Sequence, residues 1–270
     1  MTKIEDDALA DAYNAALTLE KAGDYDAASI AYAQVLKLDP EDHGGAAVRL
    51  AALGRGETPQ KAPAAYVETL FDQHADSFES ILVDQLGYDV PAMMADRLQT
   101  LGLGPFKRTL DLGCGTGLVA EALAGQAGDL VGIDIAENMV EFADEKEIYE
   151  SLYVAEAEDF LADNDEPIFD LITAADVLPY LGNLDALFAG AAANLAPGGI
   201  FVFSSETQPE ETMGHAPFMV TPHQRFAHAE SYVRERMQAA GFEVIEVSAI
   251  NVRMQDDAPT PGHLVLGVRN

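Results

Sequence analysis

From about residue 108 onward, short apolar runs alternate with stretches whose apolar residues recur at helical spacing. The runs have the length of buried strands, and the stretches between them have the length of crossover helices. Because strand–helix alternation gives right-handed crossovers, this pattern predicts an α/β domain, a Rossmann-like parallel sheet with helices on both faces. The predicted strands are 109–112, 129–133, 152–154, 169–173, 200–204, 242–252 and 263–268, and the predicted helices are 117–126, 137–146, 158–163, 183–195 and 228–240.

The last two predicted strands follow each other without a helix, joined by a loop that contains Pro259 and Pro261. Two such strands can pair antiparallel at one edge of the sheet. The connection 206–227 is long, contains three prolines and is predicted to be irregular, and connections of this kind are commonly functional.

The N-terminal residues 8–38 have the pattern of two amphipathic helices, interrupted at Gly23 and ended by Pro40. They resemble one tetratricopeptide repeat, a unit of about 34 residues, with a half-repeat at 45–54. Because a lone repeat cannot bury both of its faces, the segment needs a neighbour. Two alternatives stay open: it packs on its own domain, or it provides a platform for a protein partner or for self-association.

The proline-containing stretch 55–63 is predicted to be a linker that separates the helical segment 1–54 from the rest of the chain. Two lid helices, about 64–85 and 90–101, are expected within residues 64–104, separated by Gly87 and Pro91. The main domain is then 105–270.

The charge of the chain narrows the classes of partner. With 46 acidic and 15 basic residues, the net charge of −31 repels phosphate backbones, so a nucleic-acid partner is not expected. An acid-rich solvated surface explains this charge, and attraction of a cationic acceptor is the functional alternative. An acidic N-terminus, short apolar runs and one cysteine predict a cytoplasmic protein without a membrane anchor.

A glycine-rich loop follows the first predicted strand: Asp111-Leu-Gly113-Cys-Gly115-Thr-Gly117. Glycines at a strand–helix junction let a ligand approach bare backbone N–H groups. Asp134, at the end of the second strand, can accept hydrogen bonds from a ribose diol. Leu118 stands where a dinucleotide fingerprint needs glycine, and the carboxylate of Asp111 suits an ammonium group better than a pyrophosphate.

This loop resembles the first motif of class I S-adenosylmethionine-dependent methyltransferases. Further similar segments follow in the family's order, and together with the N-terminal repeat they resemble bacterial predicted methyltransferases with tetratricopeptide repeats. The resemblance implies a seven-stranded sheet in the order 3-2-1-4-5-7-6 with an antiparallel last strand, S-adenosylmethionine as cofactor and S-adenosylhomocysteine as product. It implies that Glu156 and Ala157 frame adenine, that Met139 packs on adenine or ribose, and that Asp176 lies at the mouth of the acceptor pocket. The implied cofactor contacts are Asp111, Gly113, Cys114, Gly115, Gly117, Asp134, Ile135, Met139, Glu156, Ala157 and Asp176.

The acceptor side is predicted from aromatic and basic residues on the surrounding elements. His74 and Phe78 are four residues apart and would share a helix face, which the resemblance places over the cofactor. The candidate catalytic residues are His74, Tyr180 and His228, and the candidate acceptor contacts are Phe71, Phe78, Tyr180 and Arg225. No metal is expected, because His215, His223 and His228 lack ligand-like spacing.

The expected function is therefore methyl transfer to a small-molecule acceptor. Two alternatives remain, a protein methyltransferase that recruits its target through the repeat and a scaffold without catalysis. An NAD-dependent oxidoreductase is disfavoured by Leu118.

Overall fold

The central sheet contains the seven predicted strands in the predicted order. The computed structural model describes the backbone of residues 3–270 and the side chains of residues 7–270. The sheet runs β3-β2-β1-β4-β5-β9-β8, and β9 is antiparallel to both β5 and β8. Two short strands, β6 and β7, are additional. The bounds are β1 Thr109–Leu112, β2 Leu130–Asp134, β3 Ser151–Val154, β4 Phe169–Ala174, β5 Leu195–Glu206, β6 Phe218–Val220, β7 Phe226–His228, β8 Phe242–Gln255 and β9 Ala258–Arg269.

Helices cover both faces of this sheet. Along β5, Phe201 and Phe203 face one layer of helices, whereas Ile200 and Val202 face the other. Because both faces are buried, the strand has a continuous apolar sequence rather than an alternating one. The helices are α1 Lys3–Lys21, α2 Tyr25–Leu38, α3 Ala46–Ala52, α4 Ala64–Asp72, α5 Val90–Thr100, α6 Leu118–Ala122, α7 Glu137–Glu145, α8 Ala157–Asp163, α9 Asp185–Asn194, α10 Glu210–Met213 and α11 Glu230–Ala239.

The parallel register brings the ends of three strands to one edge of the sheet. Leu112 at the end of β1 lies opposite Ile133 of β2 and Ala174 of β4. The loops that follow β1, β2 and β4 therefore converge, which is where ligands bind in open α/β sheets.

The expected single helix 64–85 is wrong. It divides into α4, a 3-10 turn at Ala75–Ser77 and a π-helical turn at Ser80–Gln85. Pro91 does not separate two helices either, because it lies in the first turn of α5, where its missing N–H costs no hydrogen bond. Helix α5 packs on the sheet with α6, whereas residues 64–85, called the lid segment below, lie over the strand ends.

Two predicted loops are more regular than expected. A turn at Asp256 and Asp257, with φ of 49° and 60°, joins β8 to β9, so Pro259 and Pro261 lie within β9. They lie in the part of the hairpin beyond β5, where β9 pairs with β8 alone. In the connection 206–227, β6 and β7 form a hairpin, and β7 pairs with the end of β5.

The N-terminal helices pack against their own chain. Helices α1 and α2 form an antiparallel pair, and their small core includes Tyr32 of α2 and Ala46 of α3. Val48 of α3 then packs with Ala62 and with Val220 and Phe226 of the β6–β7 hairpin. This contact supports the alternative in which the N-terminal segment packs on its own domain. The tetratricopeptide character of the segment and the division of the chain at residues 54, 63 and 104 stay predictions. Within residues 3–270, none of the helices has the length and apolar character needed to cross a bilayer.

Candidate functional site

A cavity of about 1020 Å³, measured out to its mouth, lies at the converging strand ends. This volume includes the open space at the mouth of the cavity. One wall consists of the loops after β1, β2, β3 and β4, and the lid segment with residues 61–62 forms the other. Of the predicted cofactor contacts, eight line the cavity: Gly113, Cys114, Gly115, Asp134, Ile135, Glu156, Ala157 and Asp176.

The glycine loop, residues 113–117, requires glycine for its backbone conformation. Gly113, Gly115 and Gly117 have φ of +62°, +53° and +93°, a region that L side chains rarely adopt. A Cβ on Gly113 would lie 2.6 Å from Cγ2 of Val177. Gly117 does not line the cavity, because it caps the N-terminus of α6.

Asp134 provides the carboxylate of the cavity. Its two oxygens accept hydrogen bonds from the backbone N–H groups of Gly115 and Ala136, both at 2.9 Å. Burial raises the pKa of Asp134 to about 6, although these hydrogen bonds oppose the change. Each carboxylate oxygen has a second lone pair, so Asp134 is able to accept two further hydrogen bonds from a ligand.

Asp111 does not contact the cavity directly, contrary to the expectation. The side chain is fully buried, accepting hydrogen bonds from the Tyr149 hydroxyl and the Thr173 hydroxyl, both at 2.7 Å. These contacts lie between β1, β4 and Tyr149, beneath the glycine loop, and burial raises the pKa of Asp111 to about 6. Asp111 therefore supports the loop from below.

The loop after β3 provides the predicted adenine side. Glu156 caps helix α8, and its carboxylate lies 3.5 Å from the amine of Lys61. Ala157 is the first residue of α8, so its N–H lacks an acceptor within the helix. Met139 was expected here, but it is fully buried in an apolar cluster with Ala75 and does not reach the cavity.

Burial raises the pKa of the Cys114 thiol, the desolvation being reinforced by the charges of Asp111 and Asp134. A thiol with a raised pKa stays protonated and unreactive, so Cys114 lines the cavity as a small filler.

The acceptor side of the cavity is aromatic. Phe71 packs edge-to-face on Phe78 and on Tyr180, with ring centroids 6.1 and 5.3 Å apart. All three rings line the cavity, and the Tyr180 hydroxyl accepts a hydrogen bond from Arg225. Their contact with the acceptor stays a prediction.

Arg225 is not an acceptor contact, because its donors are used inside the protein. Its guanidinium donates to Glu206, to Asp176 and to the Tyr180 hydroxyl, each at 2.6 Å. Arg253 donates to Glu206 at 2.8 Å. These four charged residues, called the ion network below, neutralise one another. Asp176 has φ of +61°, so the network holds a strained backbone at the mouth of the cavity.

The two histidines proposed for catalysis lie away from the cavity. His74 is exposed, since α4 ends before it, and its Nδ1 donates to the Leu70 carbonyl at 2.7 Å. His228 is fully buried at the end of β7, where Nε2 donates to the Leu181 carbonyl at 2.8 Å. Burial lowers the pKa of His228 to about 4. Neither histidine lines the cavity, and their catalytic role stays a prediction.

Polar contacts hold the lid segment over the cavity. The carboxylate of Glu79 accepts hydrogen bonds from Thr116 in the glycine loop and from Lys146, both at 2.7 Å. Asp72 accepts from the backbone N–H of Asn138, at the start of α7. The lid segment is thus hydrogen-bonded both to the glycine loop after β1 and to helix α7, which follows β2.

Sequence reasoning missed several residues of the site. Lys61 and Ala62, in the predicted linker, line the cavity because Ala62 pairs with the carbonyl of Tyr180. Tyr88 falls in the predicted break between two helices and also lines the cavity. No motif or spacing identifies these three residues, since tertiary packing alone brings them to the strand ends. Among residues 7–270, no group of three or more His, Cys, Asp or Glu side chains has an arrangement that could hold a metal ion.

Comparison with known proteins finds a family and a fold. The family model described as a methyltransferase domain matches residues 86–247, more than half of the chain. The ubiquinone biosynthesis O-methyltransferase of Idiomarina loihiensis is 28% identical over 158 residues, which are 53% of this chain and 65% of that protein. The chain thus spans less than two thirds of this curated relative.

Solved structures with the same fold include the N-methyltransferase NodS of Bradyrhizobium japonicum in complex with S-adenosyl-L-homocysteine. The TM-score is 0.59 at 19% identity, covering 75% of this chain and 98% of that one. An S-adenosylmethionine-dependent methyltransferase of Clostridium acetobutylicum has a TM-score of 0.55 at 16% identity, covering 74% and 99%. These similarities support the mixed sheet described above.

Proposed function

The chain belongs to the methyltransferase-domain family, and on that premise we propose that it transfers a methyl group from S-adenosylmethionine to a small-molecule acceptor. The observation that carries the proposal is one continuous cavity with two chemically different halves. The glycine loop and Asp134 form a polar half suited to a nucleoside, and the lid segment forms an apolar half beside it.

The polar half fits S-adenosylmethionine residue by residue. The free lone pairs of Asp134 suit the ribose diol, and the N–H of Ala157 suits a ring nitrogen of adenine. The glycine loop brings backbone close to the amino-acid tail, with Gly113 and Gly115 both on the cavity wall. S-adenosylmethionine supplies a methyl group bonded to a positively charged sulfur.

The apolar half aligns the acceptor and excludes water. Holding two reactants in line contributes about 7–11 kcal/mol to such a displacement, and a closed cavity provides that alignment. Phe71 and Phe78 form the side wall, and Arg225 fixes the Tyr180 ring through a 2.6 Å hydrogen bond. Burial raises the pKa of Tyr180 to about 12, so its hydroxyl stays protonated and acts as a hydrogen-bond donor to the acceptor.

Calorimetric titration with S-adenosylmethionine, S-adenosylhomocysteine and NAD tests this function. We expect both sulfur nucleosides to bind and NAD not to bind. Asp134→Ala should abolish most of that affinity. Asp129→Ala, an exposed acid one residue before β2, is the matched control and should bind normally. NAD binding, or normal nucleoside affinity of Asp134→Ala, would contradict the proposal.

A further inference from the structure

Tyr88 is a cavity residue whose hydroxyl has no hydrogen-bond partner among residues 7–270. Its ring is 6% exposed and packs with Leu82, Met94 and Val119 on the face of the sheet that α5 covers. Its backbone is fixed by a hydrogen bond from its N–H to the Leu82 carbonyl at 3.0 Å. Among residues 7–270, none of the hydrogen bonds involves the hydroxyl oxygen.

The hydroxyl opens to the cavity rather than being sealed in the core. Sealed side-chain atoms without a partner occur at six positions of the described chain, and Tyr88 is not among them. Since Tyr88 lines the cavity, its hydroxyl faces that space. An ordered water needs two to four polar partners, and the neighbouring wall residues Leu82, Pro91 and Leu118 offer no polar side chain. The position is suited to a polar atom of a ligand.

The charges nearest to this hydroxyl do not compete for it. Asp176, Arg225 and Arg253 influence Tyr88 through their charges, yet each of them is paired within the ion network. The remaining charged wall residues are Lys61, which pairs with two glutamates, and Glu156 and Asp134 on the nucleoside side. An acceptor with a net charge would therefore find no unpaired charged side chain of the described residues in the apolar half, and burying it there is costly.

We propose that the Tyr88 hydroxyl donates a hydrogen bond to an oxygen or nitrogen atom of an uncharged, mainly apolar and planar acceptor. This inference rests on the proposed function and names the acceptor class and one residue that binds it. Phe71, Phe78 and Tyr180 then contact the planar body of the acceptor. Tyr88, in the connection between the lid segment and α5, sets the orientation of the acceptor through its hydrogen bond.

Three naphthalene probes test the inference on protein saturated with S-adenosylhomocysteine. 2-Naphthol is uncharged with one oxygen, naphthalene lacks the oxygen, and 6-hydroxy-2-naphthoate carries a negative charge. Their fluorescence anisotropy reports binding. We expect wild-type protein to bind 2-naphthol at least tenfold more tightly than 6-hydroxy-2-naphthoate.

Tyr88→Phe removes the hydroxyl alone. It should weaken 2-naphthol about tenfold while leaving the affinities for naphthalene and S-adenosylhomocysteine unchanged. Because no hydrogen bond within the described chain is lost, the variant should keep the melting temperature of the wild type. Tyr66→Phe, at a partly buried tyrosine outside the cavity wall, is the matched control and should bind all probes normally.

Each of the other outcomes contradicts one part of the proposal. Equal binding of 2-naphthol by wild type and Tyr88→Phe removes Tyr88 from the acceptor site, and weakened S-adenosylhomocysteine binding assigns the hydroxyl to the cofactor instead. Absence of 2-naphthol binding, or preference for the anion, overturns the uncharged class. Failure of the wild type to bind S-adenosylhomocysteine itself overturns the proposed function, which the calorimetric titration detects separately.

Discussion

The pKa of Asp134 predicts that cofactor affinity depends on pH in a defined direction. In the free protein, burial raises this pKa from 3.8 to about 6. A ribose diol that donates two hydrogen bonds to the carboxylate favours its charged form, so binding should return the pKa towards its ordinary value. The ionised protein therefore binds more tightly, and affinity for S-adenosylhomocysteine should fall as the pH falls below about 6.

The magnitude follows from the same change in pKa. A full return from about 6 to 3.8 corresponds to about 3 kcal/mol, or roughly a hundredfold in affinity between pH 7 and pH 4. Close to one proton should be released on binding at pH 5, and almost none at pH 7.5. Asp111 has a similarly raised pKa, but it lies outside the cavity, so its protonation should not change on binding.

Titration calorimetry at pH 5 and pH 7.5, in buffers of different ionisation enthalpy, measures both the affinity and the released protons. Asp134→Asn is the control, because it keeps the side-chain shape without a titrating proton. The variant should bind weakly with no proton release at pH 5. If it shows the same pH dependence as the wild type, the group that titrates is not Asp134 and the reasoning is refuted.

Three further changes test the surrounding structure. Gly113→Ala should cost about 1–3 kcal/mol of stability and weaken S-adenosylhomocysteine binding, because φ of residue 113 is +62° and the new Cβ would lie 2.6 Å from Val177. Thermal denaturation with and without S-adenosylhomocysteine measures both effects. Arg225→Met should lower the free energy of unfolding by about 3–5 kcal/mol, because buried Glu206 and partly buried Asp176 each lose one of their two arginine partners. Normal stability in urea would contradict the ion network. His228 has a pKa of about 4 in the folded protein and binds a proton more readily once the chain unfolds. Its contribution to the free energy of unfolding is therefore present above pH 6.5 and is lost as the pH falls towards 4. In urea titrations at pH 7 and pH 5, His228→Gln should lose less stability between the two pH values than the wild type.

Stability against pH should also reflect the two raised carboxyl pKa values. The folded protein holds protons on Asp111 and Asp134 that the unfolded chain releases between about pH 4 and pH 6. Their contribution to the free energy of unfolding therefore decreases as the pH rises through this window, which opposes the trend from His228. Comparing Asp134→Asn with the wild type separates the two contributions.

The sequence by itself determined the sheet and the cofactor side, because both depend on local patterns. Strands that are buried on both faces have continuous apolar runs, and the order of the motifs along the chain follows from βα units with short loops. The glycine loop and Asp134 lie at the ends of strands that the pattern already locates, and eight of the predicted cofactor residues line the cavity.

The ion network and the positions of His74 and Tyr88 were decided only by tertiary structure. Asp176, Glu206, Arg225 and Arg253 come from four separate segments, and whether an arginine is free or paired depends on that assembly. His74 does not line the cavity, since α4 ends at Asp72, two residues before it. Tyr88 lines the cavity and packs with Leu82 of the lid segment and Met94 of α5. Side-chain direction around a cavity depends on packing between distant segments, for which a one-dimensional pattern has no signal.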